Sequence, residues 1–198
     1  MKQVVIFNGS PRMDGNTATL LNVIAKGARD AGAEVHFYTL FKMKFMACQS
    51  CFACRTREDC LINDEISAAL QKVKTADGIV IGSPIYMMQV AGPVKNLYDR
   101  FFPLTDVHYQ PRFGRKKMVA VYTQGMEDPH LFDSYFEYTA AILPWFGFEL
   151  IDTIVCTGAT DPERAERDQE LKIKAYQLGL ALGDPGPGAV EAPGPGRP

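Results

Sequence analysis

The chain has 198 residues, is 46% hydrophobic and 22% charged, and carries a formal net charge of −2. That length suits one domain with a sizeable core. The charge balance gives no electrostatic reason to expect a nucleic-acid or anionic-membrane partner, and no apolar run approaches the roughly 20 residues of a membrane helix.

Met1-Lys2-Gln3-Val4 leads straight into a strand, Gln3 to Asn8, with no signal-peptide pattern, so a cytoplasmic location is expected. A polar loop follows, Gly9-Ser10-Pro11-Arg12-Met13-Asp14-Gly15-Asn16-Thr17. Leu20, Leu21, Ile24, Ala25 and Ala28 then share one face of a helix from Asn16 to Ala31, which Gly32 stops. The second strand is Glu34 to Thr39. Residues Leu40 to Leu61 are too many for a plain connector, and they hold four of the five cysteines. Asn63 or Asp64 can cap a second helix through Lys74.

The third strand, Gly78 to Gly82, is continuously apolar, as a strand covered on both faces should be. A loop, Ser83 to Met88, precedes a helix over 91–101. An irregular stretch, 102–117, includes the basic residues Arg112, Arg115, Lys116 and Lys117, expected to be solvated. The fourth strand is Met118 to Thr123, followed by the loop Gln124 to Asp128 and a helix over 129–145. The fifth strand is Phe148 to Cys156, and the last helix runs over 161–182. From 183 to 198, ten of sixteen residues are Gly or Pro, which reads as a disordered tail.

Strands alternating with helices imply an α/β fold: a doubly wound five-stranded parallel sheet with helices on both faces. In the order 2-1-3-4-5 the winding reverses between the first and third strands, and a flavin nucleotide can bind there. The first loop is neither G-x-G-x-x-G nor G-x-x-x-x-G-K-[ST], so dinucleotide and P-loop fingerprints are not met. A helix N-terminus with nearby hydroxyls suits a monophosphate instead.

Cys48, Cys51, Cys54 and Cys60 are separated by two, two and five residues. In a reducing compartment such a cluster reads as metal or redox chemistry. An iron–sulfur cluster, a zinc site, and free or disulfide-forming thiols all fit the residues. In the thiol reading Arg55 and Arg57 would lower the thiol pKa values. Cys156, on a strand, reads as a core residue.

Three motifs, Gly9-Ser10-Pro11-Arg12 with Gly15-Asn16-Thr17, the four-cysteine run, and Gly82-Ser83-Pro84-Ile85-Tyr86, occur in this order. Together they make the sequence resemble the flavodoxin-like NAD(P)H-dependent FMN reductases and, more narrowly, the iron-sulfur flavoproteins. The resemblance implies FMN, with its phosphate on Ser10, Arg12, Asn16 and Thr17, although Asn16 or Thr17 can equally serve as helix caps. Ser83, Pro84, Ile85, Tyr86 and Met87 would face the flavin ring, and Thr123, Gln124 and Gly125 would border it. It further implies a 4Fe-4S cluster on Cys48, Cys51, Cys54 and Cys60. Electrons would come from a donor such as ferredoxin or NAD(P)H and pass to an unnamed acceptor, in a homodimer or homotetramer. No side chain is required as an acid or base, so no catalytic residue is named. A cluster-free FMN or quinone reductase and a cysteine redox sensor are the alternative functions.

Overall fold

A computed structural model describes residues 1–184. Its strands, in chain order, are β1 (Gln3–Asn8), β2 (Glu34–Thr39), β3 (Gly78–Tyr86), β4 (Gln89–Val90), β5 (Lys116–Thr123) and β6 (Phe148–Cys156). The helices are α1 (Asn16–Asp30), α2 (Glu65–Thr75), α3 (Gly92–Asp99), α4 (Asp133–Ala140), α5 (Arg164–Arg167) and α6 (Gln169–Gly183). The order is β2-β1-β3-β5-β6, all parallel, with β4 a short antiparallel partner of β3. The doubly wound order expected from the sequence is therefore present, with one small strand added.

Alternation along β1 explains the two layers. Val5 and Phe7 face one side and pack with Ile66, Leu70, Val94, Leu97 and Phe101 of the α2–α3 side. Val4 and Ile6 face the other and pack with Leu20, Leu21 and Ile24 of α1 and Leu182 of α6. The helices α1 and α6 cross in close backbone approach. A Cβ on Gly27 would lie 2.3 Å from the Tyr176 carbonyl, and one on Gly179 would lie 2.2 Å from the Ile24 carbonyl. Gly32, at φ +88, ends the run of α1 as expected.

Three boundaries and one expected exposure differ from the sequence reading. β3 continues through Ser83 to Tyr86, and Met87 and Met88, at φ 47 and 69, turn it back into β4. The expected loop is thus a hairpin, with two non-glycine residues in the left-handed region. The helix expected over 129–145 is shortened to α4, because Pro144 sits in a separate 3-10 turn, Leu143–Phe146. The last helix is split at Asp168, whose carboxylate accepts from the Leu171 N–H and starts α6 anew. Finally, the basic run is not simply solvated. Lys116 is buried in β5, its ammonium donating to the carbonyls of Lys74 and Phe113, and burial lowers its pKa. The expected tail lies, from residue 185 onward, outside the described residues; Gly183 itself closes α6.

Among the described residues, no helix is long and apolar enough to cross a membrane.

Candidate cofactor and cysteine sites

The loops after β1, β3, β5 and β6 meet at the carboxyl edge of the sheet. They enclose a cleft of about 350 Å³ lined by Ser10, Arg12, Gly15, Asn16, Thr17, Pro84, Ile85, Tyr86, Thr123, Gly125, Ala159 and Thr160. The cleft lies where the winding reverses. Gly9 N–H donates to the Gly82 carbonyl (2.8 Å), carrying the β1–β3 ladder up to the loop. Asn8 and Ser10 shape the turn. The Asn8 side-chain oxygen accepts from Ser10 N–H (2.9 Å), and the Ser10 hydroxyl accepts from Arg12 N–H (3.2 Å). Helix α1 then starts at Asn16, after Gly15, with no side-chain cap, so its first-turn N–H groups are not spent on a neighbour's side chain. Arg12 is the one charged residue of the lining.

Of the twelve residues expected to hold the flavin, nine line this cleft: Ser10, Arg12, Asn16, Thr17, Pro84, Ile85, Tyr86, Thr123 and Gly125. Ser83, Met87 and Gln124 do not. The Ser83 hydroxyl, fully buried, accepts from Ala91 N–H (2.9 Å) and donates to the Pro84 carbonyl (2.8 Å), so it fastens the hairpin to the start of α3. Met87 stands at the hairpin tip, 95% exposed. Gln124 is buried and donates to the Asp128 carbonyl (2.6 Å).

Asn16 borders the cleft, but its side chain is engaged elsewhere. It donates to the carbonyls of Ala159 (3.2 Å) and Asp161 (2.8 Å) and accepts from Ala165 N–H (2.8 Å). It braces the loop after β6, leaving its backbone N–H for a ligand. It is not the cap of α1; neither is Thr17, whose hydroxyl pairs with that of Thr123 (2.8 Å), tying the first loop to β5. Ala159 and Thr160 were missed. The signal was available: they follow the carboxyl end of a parallel strand, as the other three loops do.

The cysteine segment forms a second site. Cys48, Cys51, Cys54 and Cys60 all line one cavity of about 50 Å³, together with Asp99, Arg100, Phe102 and Pro103. That space holds several water-sized atoms, each needing about 10–15 Å³. Among the described residues, no three His, Cys, Asp or Glu side chains converge closely enough to ligate one metal ion. All five thiols are free. The four thiols that the sequence groups within thirteen residues thus border one shared cavity.

The proposed thiol-activating role of Arg55 and Arg57 does not hold at Cys54. Burial pushes that thiol up, with Cys60 adding to the rise, and the nearby Arg55 charge only partly offsets this. Arg55 instead lies over the rings of Phe102 (4.4 Å) and Tyr109 (4.9 Å). Arg112 donates to the carbonyls of Thr105, Cys54 and Arg55, so it too supports this segment. Cys156 is a core residue, as expected. It is fully buried, and burial pushes its thiol up to about 11.

Arg100, which the sequence did not single out, is 1% exposed and underlies the cysteine segment. Its guanidinium grips Asp64 with both ends (Nη1–Oδ2 2.7 Å, Nη2–Oδ1 3.0 Å). Burial would raise the Asp64 carboxyl, but Arg100 and the N–H groups of Met46 and Ser67 outweigh it and hold the pKa at about 2.

Comparison with known proteins agrees with this fold. Solved structures with the same fold include a flavone reductase (TM-score 0.68, 21% identity, covering 93% of this chain and 62% of that one). Another is an FMN-dependent NADH-azoreductase from Bacillus anthracis in complex with FMN (TM-score 0.71, 11% identity, covering 92% and 100%). An archaeal flavodoxin is also similar (TM-score 0.55, 13% identity, covering 93% and 97%). The class is thus a flavodoxin-like α/β protein. More particularly, the chain belongs to the NADPH-dependent FMN reductase family, whose model matches residues 1–133. It is 36% identical over 102 residues to iron-sulfur flavoprotein MJ1083 of Methanocaldococcus jannaschii, covering 52% of this chain and 53% of that protein. An iron-sulfur flavoprotein of Archaeoglobus fulgidus is 27% identical over 184 residues, covering 93% and 80%. The first of these matches spans about half the relative's length.

Proposed function

We propose that this chain is an FMN-dependent oxidoreductase that passes electrons between a donor and an acceptor through the cleft and the cysteine cavity. The observation that carries this reading is the composition of the cleft: an uncapped helix N-terminus, the hydroxyls of Ser10, Thr17, Thr123 and Thr160, one arginine, and no carboxylate in the lining. Such a lining favours a phosphate dianion and offers nothing that would repel it. Ser10, Arg12, Thr17 and the backbone N–H groups of Asn16 and Thr17 would hold the phosphate. Pro84, Ile85 and Tyr86 would form one wall for the ring system, with Thr123 and Gly125 opposite. FMN, when bound, supplies the electron-transfer chemistry; the chain supplies binding, orientation and exclusion of water.

The four cysteines would hold a 4Fe-4S cluster, the assignment favoured by the names of the relatives and by the cavity's four thiols. The Arg100–Asp64 pair and Arg112 keep the segment in place around it. Ferredoxin or NAD(P)H as donor, a cytoplasmic setting and a homodimeric or homotetrameric assembly belong to the same proposal.

The test is anaerobic purification followed by flavin, iron and sulfide assays. FMN should bind at one per chain and quench on titration, with about four irons per chain. Protein that remains colourless with excess FMN would refute the cleft assignment. Flavin-loaded protein without iron would refute the cluster alone and leave a plain flavin reductase.

A further inference from the structure

The cysteine cavity has one feature that the ligand assignment leaves unexplained. Arg100 caps α3 and uses its two terminal nitrogens fully. Nη1 donates to the Met46 carbonyl (2.7 Å) and Asp64; Nη2 donates to Asp64, the Ser67 hydroxyl (2.9 Å) and the Ile62 carbonyl (3.3 Å). Met46 precedes the first cysteine and Ile62 follows the last, so one guanidinium clasps both ends of the segment. The third nitrogen, Nε, is buried and has no partner. An unpaired buried N–H on a cation carries a desolvation penalty unless something accepts from it. Arg100 and Cys60 line the same cavity. Cys60 also lies two residues before Ile62, whose carbonyl the same guanidinium holds.

We propose that Arg100 is the positioning residue of the cysteine site: its Nη atoms fix the segment, and its spare Nε–H donates to a cysteine sulfur, Cys60, once that sulfur ligates iron. This rests on the cluster reading above. A hydrogen bond to a ligand sulfur stabilises the state with more negative charge and so raises the reduction potential. The redox event is uptake of one electron by the iron–sulfur group from an added reductant, with no covalent bond made or broken. Asp64 balances the guanidinium charge, so the effect belongs to the hydrogen bond rather than to an uncompensated cation.

The experiment is a dithionite redox titration of the anaerobically purified, iron-loaded protein, followed by electron paramagnetic resonance. It compares wild type with Arg100→Lys and with the double variant Arg100→Met/Asp64→Asn. The double variant removes both charges together and keeps a helix cap at position 64. Circular dichroism and FMN titration identify the folded variants. In each folded, iron-loaded variant the reduced-to-oxidised ratio at fixed potential should fall about tenfold, which is 59 mV for a one-electron couple. An unchanged midpoint overturns this role for Arg100 while the cluster survives. Loss of iron from both variants, with FMN binding retained, overturns the Nε–sulfur bond as a separate role and leaves Arg100 a structural brace only. Iron-free wild type refutes the cluster, and the role of Arg100 with it.

Discussion

Replacing Asp64 by Asn separates the electrostatic part of the Arg100 clasp from its helix-capping part. Asn caps a helix about as well as Asp, so the bond from Ser67 N–H survives. What disappears is a carboxylate held at about pKa 2 instead of 3.8. The Asp64 side chain is only 11% exposed and the Arg100 side chain 0%, so little solvent screening applies. At 1.36 kcal/mol per pKa unit the depression is worth about 2 kcal/mol at pH 7. Stranding Arg100 without its counter-ion extends the expected loss to about 2–4 kcal/mol. A depressed carboxylate stabilises the fold above its unfolded pKa and ceases to do so as pH falls through its folded pKa. The gap between wild type and variant should therefore be full at pH 6–7 and narrower by about 1 kcal/mol at pH 3. Urea unfolding of flavin-free, iron-free protein, followed by circular dichroism at both pH values, reads this directly. A gap under about 1 kcal/mol at pH 7, or one that widens in acid, would show that the clasp is not electrostatic.

Asn16→Ala should destabilise the fold by about 2–3 kcal/mol, because the carbonyls of Ala159 and Asp161 and the N–H of Ala165 lose their partner. It should also weaken FMN binding at least tenfold by releasing the loop after β6, as flavin fluorescence titration would detect. Thr17→Val preserves shape but removes the buried hydroxyl pair with Thr123; a stability loss of about 1 kcal/mol and roughly tenfold weaker FMN binding are expected. Equal FMN affinity in that variant would remove Thr17 from the ligand site.

Much of the architecture could be read from local patterns. β1 and β3 are apolar runs, Gly32 and Asp64 mark helix ends, and the carboxyl-end rule located three of the four loops that form the cleft. The misplacements have a common physical origin in non-local bonds. Ser83 was expected in a loop facing the flavin ring, but the hairpin to β4 turns its hydroxyl toward Ala91. Asn16 looked like a phosphate ligand or a cap, but its partners lie 143 and 145 residues away. Arg100 offered no motif at all, since its significance comes from Met46, Ile62 and Asp64, which folding alone brings beneath it. The spacing of the cysteines announced a shared site; nothing in the spacing could reveal the cation beside it.

The glycine contact between α1 and α6 has a consequence for the opposite end of the molecule. Gly27 is eleven residues from the start of α1, roughly 16 Å along the helix axis. A methyl group inserted there, or at Gly179, would act as a wedge under the tail of a rigid rod whose tip borders the cleft. The aim of that tip is thus adjusted from the rear of the protein, by two side chains that consist of a single hydrogen.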